Sequence, residues 1–228
     1  MNHPLLAADR LSVQYPGKNG LLNAITDISL RIRPGETVCL VGESGSGKTI
    51  AAKTFMRLID YERGRIAAGR VEFDGQDLAR LSAGELRRLR GRKMAMVFQE
   101  PMTAFDPIFT IGSQLAETIL RHEQVTRQEA WKRSVDLLRR VGLSEPEARM
   151  HQYPGELSGG MLQRAMIAMA LSCGPELLIA DEPTTALDMT IQAQILRLLK
   201  ELQREYGMAM LLITHDLGIA AEAADRIV

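Results

Sequence analysis

There is no surplus of charge of either sign: 28 Lys and Arg stand against 28 Asp and Glu. That balance argues against nucleic acid as the main partner, which would call for a cationic excess. The one locally basic stretch, Arg80 to Lys93 with Arg87, Arg88, Arg90 and Arg92, reads as the solvated face of a helix. Long apolar runs are missing too. None reaches the roughly 18 residues that cross a bilayer, so no membrane span is expected. Met1-Asn2-His3-Pro4 lacks a basic segment followed by an apolar core, so no secretion leader is expected either. Cysteine is almost absent. The two present, Cys39 and Cys173, sit in apolar contexts and read as buried small hydrophobes in a reducing compartment. No internal repeat or low-complexity linker is visible. What remains has the composition of an ordinary soluble globular protein, 46% hydrophobic and 25% charged over 228 residues. That length allows one sizeable core, or a core plus a subdomain. The chain is expected in the cytosol, touching a membrane only through a partner.

Four short apolar runs are present: Thr37 to Val41, Met94 to Phe98, Leu177 to Ala180 and Met210 to Ile213. They are continuous rather than alternating, as in strands of a parallel sheet covered on both faces. Each ends at a glycine turn or polar group: Gly42, Gln99, Asp181-Glu182 and Thr214-His215. Ligands of open α/β sheets bind beyond the carboxyl ends of the strands, so one shared site is expected. Nearer the start, Leu11 to Tyr15 and Ile28 to Ile32 alternate apolar and polar residues, as half-exposed antiparallel strands do. Between Gln99 and about Arg164 the pattern is helical, for example from Ala130 to Val141, and is punctuated by Pro101, Pro107, Pro146 and Pro154. A last long helix is expected from about Thr190 to Tyr206, with Ile191, Ile195, Leu198, Leu199 and Leu202 on one face.

Gly42-Glu43-Ser44-Gly45-Ser46-Gly47-Lys48-Thr49 fits the phosphate-cradle pattern G-x-x-x-x-G-K-[ST] at every fixed position. Its glycines let backbone N–H groups turn toward phosphate oxygens, and the helix from about Lys48 adds its positive end. Lys48 can reach the β- and γ-phosphates of a nucleotide held there, and the Thr49 hydroxyl can ligate Mg²⁺. Asp181 and Glu182 end an apolar strand. The first would hold Mg²⁺, and the second would act as general base on the attacking water. Leu157-Ser158-Gly159-Gly160-Met161 precedes the strongly helical stretch Leu162 to Leu171 and offers a second set of donors at a helix start. One γ-phosphate hardly needs both surfaces from one subunit. A head-to-tail dimer, each copy capping the ATP held by the other, accounts for both. The recurring Met161, Met166 and Met169 read as core packing.

With these motifs in this order, the chain resembles the ABC ATPase family from Leu11 to Val228. The resemblance implies an α/β fold: a P-loop NTPase core with a mostly parallel sheet, an N-terminal antiparallel β subdomain and an inserted α-helical subdomain. Its boundaries would be 1–99 and 165–228 for the core with β subdomain, and 100–164 for the helical part. It further implies that Tyr15 stacks on adenine and that Gln99 senses Mg²⁺ and the membrane partner. Ser158, Gly159 and Gly160 would be the family signature. Thr185-Ala186-Leu187-Asp188 would link the two sites across the dimer, and His215 would contact the γ-phosphate.

Within the family, Phe98 to Ala104, Tyr153-Pro154, Leu157 to Arg164 and Ala180 to Ala193 look like the subgroup serving oligopeptide, dipeptide and nickel importers. That implies transmembrane permease subunits docking on Glu100 to about Gln124, a second ATP-binding subunit (identical or homologous) and an external solute-binding protein acting indirectly. It implies a peripheral location on the cytoplasmic face of the inner membrane, with ATP and Mg²⁺ as the bound groups and no nucleic acid. Met161 stands where many members carry glutamine, a change common in the subgroup. Asp106-Pro107 replaces the usual asparagine before proline, and Val228 falls where relatives continue with further strands. A soluble ABC ATPase without a permease is the alternative; such proteins carry tandem domains, zinc insertions or coiled coils, and none is visible here. A small-molecule kinase or GTPase would not need Leu157 to Gly160, and no guanine-specific N-K-x-D stretch is present. A non-catalytic subunit would not need Glu182 and His215.

Overall fold

Each continuous apolar run is a strand buried on both faces. A computed structural model describes residues 3–18, 20–185 and 187–228. In it β3 (Thr37–Val41), β6 (Met94–Val97), β7 (Leu177–Asp181), β8 (Ala209–Thr214) and β9 (Arg226–Ile227) form a five-stranded parallel sheet in the order β6-β7-β8-β3-β9. β1 (Leu6–Gly17), β2 (Gly20–Ile32), β4 (Arg65–Phe73) and β5 (Gln76–Asp77) form a four-stranded antiparallel sheet in the order β2-β1-β4-β5.

The pleat divides the parallel sheet between two cores. Leu178, Ala180, Met210 and Leu212 join one cluster with helix residues such as Leu115, Leu138, Ile167 and Leu199. Leu177, Ile179, Leu211 and Ile213 join the other, with Leu6, Leu11, Val71 and Phe55. The parallel sheet is therefore covered by helices on one face and by the antiparallel sheet with one helix on the other. Phe55, fully buried there, closes that second core. Phe55→Ala is expected to lower unfolding stability by about 3–5 kcal/mol, read from chemical denaturation; a loss below about 1 kcal/mol would mean the site collapses around the gap.

Among the described residues eight helices follow their local signals: α1 (Lys48–Phe55), α2 (Ala83–Leu89), α3 (Ile111–His122), α4 (Arg127–Arg140), α5 (Pro146–Arg149), α6 (Gly159–Leu171), α7 (Met189–Tyr206) and α8 (Leu217–Ala223). Thr110, Thr126, Ser158, Asp188 and Asp216 cap α3, α4, α6, α7 and α8 by accepting from backbone N–H groups of the first turn. Pro146 occupies the first turn of α5, and Pro101 and Pro154 open short 3₁₀ turns. Among the described residues no helix is long and apolar enough to cross a membrane.

Two expectations need correction. The basic stretch Arg80 to Lys93 is not one helix. Ser82 and Glu85 form a capping box that starts α2, which ends before Arg90. Arg87, Arg88 and Arg92 are exposed, but Arg90 turns inward to donate to the Met56 and Arg57 carbonyls, both at 2.8 Å. The second concerns Cys173. Cys39 is buried, but Cys173 is only half-buried, because the chain passes from buried Ser172 to exposed Gly174 there, after α6.

Register decides where the chemistry lies. Val41 pairs with Thr214, Val97 with Ala180, and Asp181 with Ile213. The carboxyl ends of β3, β6, β7 and β8 are thus level, and Gly42, Gln99, Glu182 and His215 all emerge at that edge.

Candidate functional site

Gly42 to Thr49 joins β3 to α1. Gly47 has φ 95°, a left-handed value that favours glycine, and a Cβ there would stand 3.0 Å from the Ala24 carbonyl oxygen. The loop thereby lies against β2. Lys48 is buried, and its Nζ donates to the Gly42 and Glu43 carbonyls, each at 2.8 Å. The ammonium is fixed at the start of the loop, with one of its three protons uncommitted to these bonds. α1 has no side-chain cap and no acid in its first turn, unlike its six capped neighbours. Its first N–H groups are therefore available to an anion, and the helix dipole adds to their pull.

Thr49 reaches Asp181, its Oγ1 donating to Oδ1 at 3.2 Å. Asp181 is buried, and burial pushes its carboxyl above the usual range; the Thr49 hydrogen bond pulls the other way, the Glu182 charge adds to the rise, and Lys53 and Lys48 oppose it. A buried carboxylate and a hydroxyl at one point fit a hard cation. Among the described residues no group of three or more His, Cys, Asp or Glu side chains forms a metal cage. That combination suits Mg²⁺, which takes one or two protein ligands and completes its shell with substrate phosphate and water.

Glu182 has φ 44°, uncommon for a residue with a side chain. Its N–H donates to the Ile213 carbonyl at 3.0 Å, anchoring the turn to β8. Three groups meet its Oε2: the Thr185 hydroxyl at 2.9 Å, Gln99 Nε2 at 3.3 Å and His215 Nδ1 at 3.5 Å. Gln99 and His215, at the ends of different strands, thus share one carboxylate oxygen.

The remaining candidates lie further out. Tyr15 pairs with Leu22 of β2, and Val13 with Ile25, so its ring and the Gly47 turn border the same stretch of that strand. Its hydroxyl donates to Glu62 Oε2 at 3.2 Å. Burial first, and then the Glu62 charge, pushes the phenol up to about 12. Glu62 also pairs with Lys53 at 2.5 Å. At α6, Ser158 Oγ accepts from Met161 N–H at 3.4 Å, which leaves its own proton free to donate. A Cβ on Gly159 would lie 3.7 Å from Leu187, and one on Gly160 3.1 Å from Ile191. The Ser158 turn is therefore packed against the start of α7, and among the described residues it makes no hydrogen bond to the Gly42–Thr49 loop. Asp188 Oδ1 accepts from Ile191 N–H at 3.0 Å, capping α7. Ala186, between Thr185 and Leu187, lies outside the described residues. Met166 is buried and Met161 and Met169 pack against the same core, as a packing role requires.

Sequence reasoning gave no individual role to Thr185, which makes the shortest contact to Glu182, nor to Lys53. Lys53, Thr49, Tyr61, Phe98, Gln99 and Asp181 line a cavity of about 500 Å³ beside the acid pair. The helical offset of Lys53 from Thr49, one turn along α1, was the available signal.

Comparison with known proteins shows the family and the fold. The ABC transporter family profile matches residues 25–185. The dipeptide transport ATP-binding protein DppD of Escherichia coli (strain K12) is 51% identical over 224 residues, covering 98% of this chain and 68% of DppD. The oligopeptide transport ATP-binding protein OppD of Bacillus subtilis (strain 168) is 46% identical, covering 98% of this chain and 62% of OppD. Among solved structures, the dimeric ATP-binding cassette MJ0796 in a post-hydrolysis state bound to ADP and Pi superposes with a TM-score of 0.87 at 29% identity, over 98% of this chain and 93% of that one. With a phosphate cradle, an acid pair and this fold on one sheet edge, the chain belongs to the ABC transporter family, as one of its ATP-binding and ATP-hydrolysing cassettes.

Proposed function

We propose that this cassette powers a peptide importer. The convergence of Thr49–Asp181 and of Gln99 and His215 on Glu182, beside the Lys48 loop, carries the catalytic part of that reading. The names of the relatives, dipeptide and oligopeptide transport ATP-binding proteins, carry the choice of solute; nickel is the other cargo the subgroup resemblance allows. Gly42 to Lys48 hold the triphosphate and Tyr15 borders the adenine. Thr49 and Asp181, with Gln99 nearby, are the residues that would hold Mg²⁺, which when bound supplies positive charge to the phosphate oxygens. Glu182 takes a proton from water as the new O–P bond forms and the bond from phosphorus to ADP breaks, and His215 steadies the γ-phosphate. Ser158, Gly159 and Gly160 of a second cassette close the site from the opposite side. Phosphoryl transfer rests on positioning and electrostatics, so each aligned donor contributes roughly 10²–10³ in rate.

The division that goes with this reading is 1–99 plus 165–228 for the nucleotide-binding core and β subdomain, and 100–164 for the helical subdomain. The segment after Gln99 meets the permease. Met102, Ile108 and Phe109 are exposed there, an apolar surface suited to a partner helix. Asp106 shapes it, since its Oδ1 accepts from Ile108 N–H at 3.1 Å. The cassette then sits peripherally on the cytoplasmic face of the membrane, and a solute-binding protein acts on it only through the permease. Tagged chain purified from its host is expected to bring down polytopic membrane subunits, and disruption of the chain to abolish uptake of labelled small peptides. Normal peptide uptake, with an ATPase that purifies free of membrane subunits, refutes the importer and leaves a soluble ABC ATPase.

A further inference from the structure

We propose that Thr185 is a positioning residue for ATP hydrolysis, one that aims the Glu182 carboxylate; this rests on Glu182 being the base. Thr185 grips Glu182 at two points. Its N–H donates to the Glu182 carbonyl at 3.1 Å and its hydroxyl to Oε2 at 2.9 Å. The turn needs such a hold, because Glu182 sits at φ 44° and its backbone is anchored on the other side through its own N–H to β8. The other two groups at Oε2 are longer, at 3.3 and 3.5 Å, and His215 is largely exposed, at 62% of its side-chain surface. Thr185 is half-buried and short, with a single side-chain torsion to fix. The Thr185 hydroxyl is thus the most closely placed and least mobile of the three groups at Oε2.

Occupying Oε2 has a chemical consequence. Among the described residues no donor reaches Oε1, so that oxygen is the one left to accept a proton from water. Thr185 therefore selects which lone pairs of the base face the reaction. A freely rotating carboxylate would spend much of its time misaligned, and misalignment lowers the rate without weakening nucleotide binding.

Three substitutions in the full-length chain test this, assayed with Mg²⁺ and ATP. Thr185→Val keeps the shape and removes the hydroxyl; kcat is expected to fall roughly tenfold to a hundredfold with KM for ATP unchanged. Thr185→Ser restores the hydroxyl and is expected to recover most of kcat. Thr185→Ala repeats the loss without the second methyl, in case valine disturbs the turn. A wild-type or raised kcat in both Val and Ala variants overturns the proposal. So does a Ser variant as slow as Val, which would make the contribution one of bulk rather than of the hydroxyl, or a raised KM at unchanged kcat. Glu182→Gln run in parallel separates the premises: if it still turns over ATP the base assignment fails, whereas an inactive Glu182→Gln beside a fully active Thr185→Val sinks only the role of Thr185.

Discussion

Replacing Glu182 by glutamine is expected to cut ATP turnover by at least roughly 10²-fold while leaving nucleotide binding intact. The substitution is close to isosteric. An amide oxygen at the Oε2 position still accepts from the Thr185 hydroxyl and from Gln99, now 2.9 and 3.3 Å away, so the turn and the side-chain direction persist. What disappears is the ability to take a proton from water. Lys48 and the uncapped start of α1 lie on a different segment and continue to bind the triphosphate. Because ATP then persists between two cassettes, the variant is expected to accumulate as a nucleotide-dependent dimer, visible by size exclusion with ATP and absent without it. Hydrolysis at the wild-type rate would remove Glu182 from its assigned role.

The parallel sheet was legible because its strands are buried on both sides. Leu177 to Ala180 face two different cores in alternation, so every position must be apolar and the run stands out. β4 had no such mark. Arg65, Ala67, Ala68, Gly69 and Arg70 are exposed, and in that first half Ile66 alone packs, partly buried, against the core that Val71 and Phe73 fill, so it reads as loop. Helix ends were legible where a cap supplies them, as Thr126 does for α4, and misread where a distant contact intervenes, as with Arg90, which leaves α2 for carbonyls more than 30 residues earlier in the chain. In the site, residue types and spacing gave the cradle, the acid pair and the Ser158 turn. They could not give the meeting of Gln99, Thr185 and His215 at one oxygen. That depends on the register of β6, β7 and β8 and on the left-handed turn at Glu182, and no glycine announces that turn.

The strongest remaining test asks whether one site is built from two chains. Lys48→Ala removes the buried ammonium of the cradle, and Ser158→Arg puts a long cation where a small hydroxyl caps α6. Each variant alone, paired with its own copy, is expected to be nearly inactive, because both sites of such a homodimer carry the same lesion. In a two-fold dimer residue i of one copy meets residue j of the other, and the reverse holds at the second site. A mixed dimer therefore gathers both lesions into one site. Its other site combines Lys48 from the Ser158→Arg copy with Ser158 from the Lys48→Ala copy, and is native. Random pairing of equal amounts places about a quarter of all sites in that native arrangement, and ATPase activity is expected to return to about that fraction of wild type. If each site were complete within one chain, no pairing could reunite the two groups and the mixture would remain as inactive as its components. The Ser158 turn of a single chain packs against α7 rather than its own cradle, and it is this separation that makes recovery the expected result.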